Sequence, residues 1–259
     1  MGTVYQSTLE SSGQQSATRV MPWNFACQPE LAARFMEGAE SLADLSHPNL
    51  VRFHEVGCED GVPYLVMETV LGNSLDWLLF SEAHLPLAEN IKIMQEVCLA
   101  LGYAHCNDVV HLAVKPTNIF VQPDGTAKLL DLGLAQLALF CEIAPAISTG
   151  RIGPILYCAP ERLLGEPLGA CTDVFEAGVV LYQLVAGRLP FDGPLSSRLQ
   201  KVLHDAPPPL NTREGAFPPL LQQVVDCALA KAPADRYPTA QEMALDLEAV
   251  LAELAQTGS

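Results

Sequence analysis

The chain has 259 residues, 49% of them hydrophobic, which is room for one large domain or two lobes around a substantial core. Its 30 acidic residues against 14 basic ones leave a net charge of −16, with only five lysines, and this argues against nucleic acid or an anionic membrane as partner, because phosphate binding demands basic patches. No window approaches the run of about 18–20 apolar residues that a membrane span needs, and no charged-then-apolar leader opens the chain, so a soluble, cytoplasmic protein is expected. Eight cysteines without a C-x-x-C pair point to free or buried thiols rather than to a disulfide framework or a zinc site.

In chain order, residues 3–70 read as short strands around one helix, whose inward stripe is Leu31, Phe35, Gly38, Leu42 and Leu45. Residues 72–259 carry mostly helix-period patterns. Leu87, Ile91, Met94, Cys98, Leu101 and His105 recur at alternating steps of four and three, the mark of a helix burying one stripe. A hairpin of Ile119–Val121 and Ala127–Leu130, turned by Asp124-Gly125, then brings Asn118 and Asp131 close together. Asp173 opens a largely apolar stretch from Val174 to Val185. The Pro207–Pro209 loop and the end Thr257–Ser259 are expected in solvent. The last helix sets Glu242, Asp246, Glu248 and Glu253 around Met243, Leu247, Leu251 and Leu254; packing of its apolar side is preferred over docking of a basic partner.

Residues 111–118, His-Leu-Ala-Val-Lys-Pro-Thr-Asn, resemble the catalytic loop H-R-D-L-K-P-x-N of protein kinases, with Leu112 for the Arg and Ala113 for the catalytic Asp. Other signposts follow in order: Asp131-Leu132-Gly133 for D-F-G, Ala159-Pro160-Glu161 for A-P-E, Asp173 before an apolar helix, and the late Arg236. Upstream, Leu45–Asn49 and Tyr64–Glu68 resemble the segments around the fourth strand and into the hinge. The chain is thus similar to the bacterial Hanks-type Ser/Thr kinases over nearly its whole length. The resemblance implies an α+β, two-lobed fold, with residues 1–70 as the small lobe, residues 71–259 as the helical large lobe, and Val70–Asn73 near the hinge. The opening Met1-Gly2-Thr3-Val4-Tyr5 matches only the end of the family's Gly-rich loop, so the small lobe is expected to lack its first strand and most of that loop. A start codon placed too far downstream and a genuine truncation both account for this.

By the same resemblance, ATP and magnesium are the implied cofactors. Gly2, Val4, Ala17 and Arg19 stand at the phosphate side of the nucleotide site, Met67 and Glu68 at its hinge, and Lys115 at the transferred phosphate. Asn118 and Asp131 hold the metal-binding positions, although Asx residues also bond local backbone in turns. His111, Leu132 and Leu42 match the internal hydrophobic spine, Asp173 the anchor of the catalytic loop, and Glu161 with Arg236 a buried ion pair. Against this stand five departures. Ala113 cannot accept a proton; Leu112 removes the receiver of an activation-segment phosphate at Ser148 or Thr149; Pro154 replaces the Thr of the substrate-side loop Gly153–Tyr157. Arg19 replaces the phosphate-binding Lys, and reads either as a weakened phosphate contact or as a solvated strand-edge cation. Gly38 stands where the partner Glu of that Lys belongs. The expected function is therefore a pseudokinase that binds a protein, a kinase or its substrate, as scaffold or nucleotide-gated switch. The competing readings are a slow Ser/Thr kinase, a metal-dependent nucleotidyl transferase using Asp131 and Asn118, or a decaying gene product.

Overall fold

Four segments rich in β-branched and aromatic residues pair into one antiparallel sheet: β1 (Thr3–Thr8), β2 (Gln15–Val20), β3 (Phe53–Glu59) and β4 (Val62–Glu68), in the order β1-β2-β4-β3. The computed structural model describes residues 2–8, 13, 15–21, 29–81, 85–134, 155–210 and 217–257. β1 is an edge strand and leaves Val4 48% and Tyr5 55% exposed. β2 lies inside the sheet, paired to β1 on one side and β4 on the other, so Arg19 is not on a strand edge.

Helix α1 (Pro29–Ala43) packs on β3 and β4 through Phe35, Ala39 and Leu42, all buried, with Leu45 partly buried beyond its end. The expected inward stripe included Gly38. Phe35 and Leu42 of that stripe are buried, but between them Gly38 is half-buried and its neighbour Ala39 is fully buried. The side chain of Leu31 lies outside the described residues.

A second, three-stranded sheet follows, β5 (Asn73–Ser74), β6 (Ile119–Val121) and β7 (Ala127–Leu129), in that order. Between β5 and β6 come α2 (Leu75–Phe80), whose first turn is capped by Ser74 Oγ accepting the Trp77 N–H, and α3 (Leu87–His105). Ile91, Met94, Cys98 and Leu101 are buried on α3 as the periodicity requires. Beyond β7 the described helices are α4 (Pro160–Leu164), α5 (Ala170–Ala186), α6 (Leu195–His204), α7 (Pro219–Ala228) and α8 (Ala240–Thr257). α5 is the axis of this half, with every residue from Thr172 to Tyr182 buried, and α3, α7 and α8 pack around it. At Gly178 the backbone of α5 comes so near α7 that an added Cβ would lie 2.8 Å from the Ala228 Cβ. α8 buries Met243 and Leu247 and leaves Glu242 and Glu248 exposed, the packing arrangement that its pattern favoured. Pro207 and Pro208 are half-buried rather than free in solvent, because the Leu210 N–H bonded to Gln222 Oε1 ties their loop to α7. The six described cysteines are free, and no helix among the described residues is long and apolar enough to cross a membrane.

Candidate functional site

The loop from His111 to Asn118 has few neighbours of its own in a sheet or helix, so its backbone N–H groups need outside acceptors. Two carboxylates one turn apart on α5 supply them. Asp173, fully buried, accepts the N–H of His111 at 2.7 Å and of Leu112 at 2.6 Å, and also lies 2.9 Å from His105 Nε2. These bonds hold Leu112 at φ +58°, a left-handed conformation that costs a bulky L-residue roughly 1–2 kcal/mol. Glu176 Oε2 accepts the Val114 N–H at 2.8 Å, while its Oε1 accepts from Arg162 Nη1 at 2.9 Å. Burial pushes the Glu176 carboxyl up to about 7, outweighing the Arg162 guanidinium that favours its ionised form.

His111 is fully buried, its Nδ1 accepting the Ala113 N–H at 3.2 Å and its Nε2–H donating to the Leu130 carbonyl at 2.8 Å. That pattern is the neutral Nε2–H tautomer, and burial lowers the imidazole's pKa in agreement with it. Ala113 is thereby held with its backbone bonded on both sides, for its carbonyl accepts from Asn118 Nδ2 at 3.0 Å. Only a methyl group projects from it.

Asn118 closes a 3₁₀ turn, Pro116–Asn118, and Asp131 follows β7 at φ +64°. The Asp131 carboxylate does not turn back on its own backbone. Its Oδ1 accepts from Arg19 Nη2 at 2.6 Å, with Arg19 9% and Asp131 5% exposed. The reading of Arg19 as a solvated cation is therefore overturned: its length carries the guanidinium from the sheet across to the segment after β7. Two positions on, Gly133 has φ +69°, and a Cβ there would lie 2.9 Å from Leu42 Cδ1, so α1 rests directly on the Asp131 segment. Leu42, His111 and Leu132 are all buried.

Around this pair, Gly2 sits so close to the Val20 carbonyl that an added Cβ would be 2.2 Å from its oxygen. Ala17 is paired with Met67 across β2 and β4, and Met67 is buried. The Glu68 side chain is taken up by Lys128 Nζ at 2.6 Å and by the Arg52 N–H at 3.2 Å. Lys115 is half-exposed and has no partner among the described residues. Gly153, Pro154, Ser148 and Thr149 lie outside the described residues; of the same stretch, Ile155 is buried and the Tyr157 hydroxyl bonds Gln183 Oε1 at 2.7 Å.

Magnesium takes six oxygens in near-octahedral geometry, usually one or two protein side chains completed by waters and substrate phosphates. Asn118 and Asp131 are the two side chains that would supply the protein's share, with Arg19 Nη2 on Oδ1 of Asp131. The described residues contain no group of three or more His, Cys, Asp or Glu that could hold a metal without a nucleotide.

Beside Arg162, Glu161 forms a two-pronged pair with Arg236, Nη1–Oε1 2.8 Å and Nη2–Oε2 2.9 Å, both almost wholly buried. Arg236 also donates to the carbonyls of Ala230, Cys171 and Lys231 and lies over the Phe175 ring. Burial acts to raise the Glu161 carboxyl, but the bonds from Arg236 prevail and hold it below the ordinary range. Sequence reasoning missed Glu176, Arg162 and the bond from His105 to Asp173. The available signal was a lone carboxylate inside the apolar run of α5.

The fold, the loop anchored by α5, and the Glu161–Arg236 pair define the class. A model of the family described as protein kinase domain matches residues 1–246, and the chain belongs to that family. Among curated relatives it is 35% identical over 237 residues to the serine/threonine-protein kinase PknB of Mycobacterium leprae, covering 89% of this chain and 38% of that protein. It is 34% identical over 245 residues to PknA of Mycobacterium tuberculosis, covering 92% of this chain and 55% of that protein. The chain therefore spans between about two fifths and just over half the length of these relatives. Among solved structures it is similar to the PknI kinase domain of M. tuberculosis, with a TM-score of 0.75, 28% identity, and coverage of 97% of this chain and 91% of that one.

Proposed function

We propose that this kinase domain is a pseudokinase, a binding and regulatory module that carries the family's fold without its phosphoryl transfer. The observation that carries the reading is Ala113. Its loop is held by Asp173, Glu176, His111 and Asn118, yet the position that should accept the substrate's proton ends in a methyl group. A positioned general base contributes roughly 10²–10⁴-fold, and a methyl group supplies none of it. Arg19 in place of the phosphate-binding Lys supports the same reading, since a planar guanidinium, here paired with Asp131, does not reproduce a compact ammonium at a fitted site. Gly2, Val4, Ala17, Arg19, Met67, Glu68 and Lys115, with Asn118 and Asp131 at the metal positions, remain the nucleotide-binding candidates, with the lobe boundary near residues 70–71. A bound nucleotide would act as a ligand that biases the position of α1, through Leu42 against Gly133, rather than as a substrate. The partner class that fits is protein, a kinase or a kinase substrate.

The test is incubation with γ-labelled ATP and magnesium or manganese, alone and with a basic protein as acceptor. Label on the chain and on the acceptor should equal a no-protein blank. Label above the blank that disappears in Asp131→Ala would instead establish a slow kinase.

A further inference from the structure

Helix α6 begins behind Pro194, whose side chain cannot cap it, so the N–H groups of Leu195, Ser196 and Ser197 stand ahead of the first intrahelical bond, from the Arg198 N–H to the Pro194 carbonyl at 2.9 Å. Side chains on a helix lean toward its N-terminus, and two cations of α6 follow that rule. Arg198 reaches back with Nη2 to Asp192 Oδ1 at 2.6 Å, and Lys201 with Nζ to the Asp192 carbonyl at 2.7 Å. We propose that this end of α6 binds a phosphate group, free or carried on a phosphorylated side chain, at a site separate from the nucleotide cleft and independent of it.

The observation that carries the inference is Arg198. Its side chain is only 6% exposed, yet Nε and Nη1 are buried with no hydrogen-bond partner among the described residues. A buried guanidinium with open donors costs free energy that a fitting set of acceptor oxygens recovers. The neighbouring side chains do not supply them. The Tyr157 hydroxyl, on which Arg198 acts electrostatically, is engaged with Gln183 Oε1 at 2.7 Å, and Asp76, which acts on the same hydroxyl, makes no ion pair with Arg198. Asp192 is the one ion-pair partner of Arg198 among the described residues, and it is a loose one. Its side chain is 74% exposed and offers a single oxygen, which also accepts the Gly193 N–H at 2.8 Å.

Charge and shape both favour phosphate. Two cations and the positive end of a ten-residue helix surround one exposed carboxylate, so the site keeps a net positive charge even with Asp192 in place. Gly193 has φ +130°, and a Cβ there would lie 3.5 Å from Ser197 Oγ and 3.9 Å from Lys201 Nζ, which brings hydroxyl and ammonium together over its backbone. A tetrahedral phosphate presents several oxygens where Asp192 uses one, enough to take over the bonds of that carboxylate and to meet Arg198, Lys201 and the first-turn N–H groups at once. Asp192 is then a built-in competitor, a weaker anion on the same donors.

The experiment follows the amide shifts of Gly193, Ser196 and Ser197 as inorganic phosphate replaces chloride at constant ionic strength, and again with capped phosphoserine and capped serine. Phosphate and capped phosphoserine should give saturable shifts confined to this end of α6, and capped serine none. Tighter binding of phosphoserine identifies a phosphorylated side chain as the occupant, and tighter binding of phosphate the free anion. Asp192→Asn, which removes the competing charge, should bind phosphate about threefold more tightly, the scale of an exposed ion pair. Arg198→Met should bind it about tenfold more weakly while melting no lower than wild type, since it removes a buried cation with open donors; a merely structural arginine would do the reverse. Lys201→Met, which leaves Arg198 in place, should weaken binding severalfold and keeps the test open whatever Arg198→Met does to folding. The absence of saturable shifts in both wild type and Asp192→Asn overturns the proposal, as does phosphate binding that Arg198→Met or Lys201→Met leaves unchanged.

Discussion

Ala113 and Leu112 are side by side, and each departs from the family's loop in a different currency. Ala113 loses a chemical group; Leu112 keeps a strained backbone, φ +58°, that still requires Asp173 to hold it. Replacing Asp173 by Ala strands the buried N–H groups of His111 and Leu112 together with the His105 ring. The expected loss is about 3 kcal/mol or more of unfolding free energy, read as a lower urea midpoint at unchanged slope. A midpoint within error of wild type would mean that the loop is held by something else. Part of this scale was readable in advance: Asp173, Glu161 and Arg236 sit in motifs that name their partners, whereas the resemblance marks His111 only as a spine residue and its bonds to Leu130 and Ala113 were not foreseen. Nor were Glu176 and Arg162, because an apolar-run reading counts the hydrophobic residues of α5 and passes over the one carboxylate among them. The Arg19–Asp131 contact was beyond reach for another reason. It spans 112 positions, and no local periodicity reports which of a long side chain's neighbours it will meet.

Two close approaches tie the elements together, and both depend on a missing Cβ. Gly178 lets α5 and α7 touch, and Gly133 lets Leu42 of α1 rest on the segment after Asp131. Gly178→Ala should cost roughly 1–3 kcal/mol by overpacking against Ala228. Gly133→Ala should cost a similar amount, since it combines an L-residue at φ +69° with a clash on Leu42. The two should differ in amide exchange: Gly133→Ala loosens α1 ahead of the helical half, and Gly178→Ala lowers protection of α5 and α7 first. Equal loosening everywhere in both variants would remove the case for α1 as the part that responds to the site. At this scale periodicity served well where it was long. The stripe on α3 and the hairpin β6–β7 are as expected, because a sustained pattern of apolar residues leaves little choice of face. On α1 the adjacent small residues Gly38 and Ala39 blur the apolar stripe, and the core selected the one with a methyl group to bury.

Over the whole molecule, pH reports how the loop is joined to α5. Glu176 is pushed from an ordinary 4.5 to about 7 by burial, with Arg162 acting to lower it and Asp173 and Glu161 acting to raise it. Between those values the folded protein holds a proton that the unfolded chain has released. The contribution is therefore fully present below 4.5 and is lost as pH rises through 7. Glu161 and His111 are both lowered and act in the opposite sense, their contributions being lost as pH falls, so wild type alone will not display the slope. The difference between Glu176→Gln and wild type should move in favour of the variant from pH 4.5 to 7 by up to about 3 kcal/mol and then level off. A difference that stays flat across that range contradicts the assignment.

These scales meet in the proposed reading, a chain that keeps the kinase fold without its ATP chemistry. Its most direct test is the disappearance of ATP itself, followed by chromatography over many hours with magnesium present. That readout counts transfer to protein, hydrolysis and nucleotidyl transfer alike. Wild type, Asp131→Ala and a no-protein blank should lose ATP at the same rate; a wild-type rate above both of the others would contradict the account.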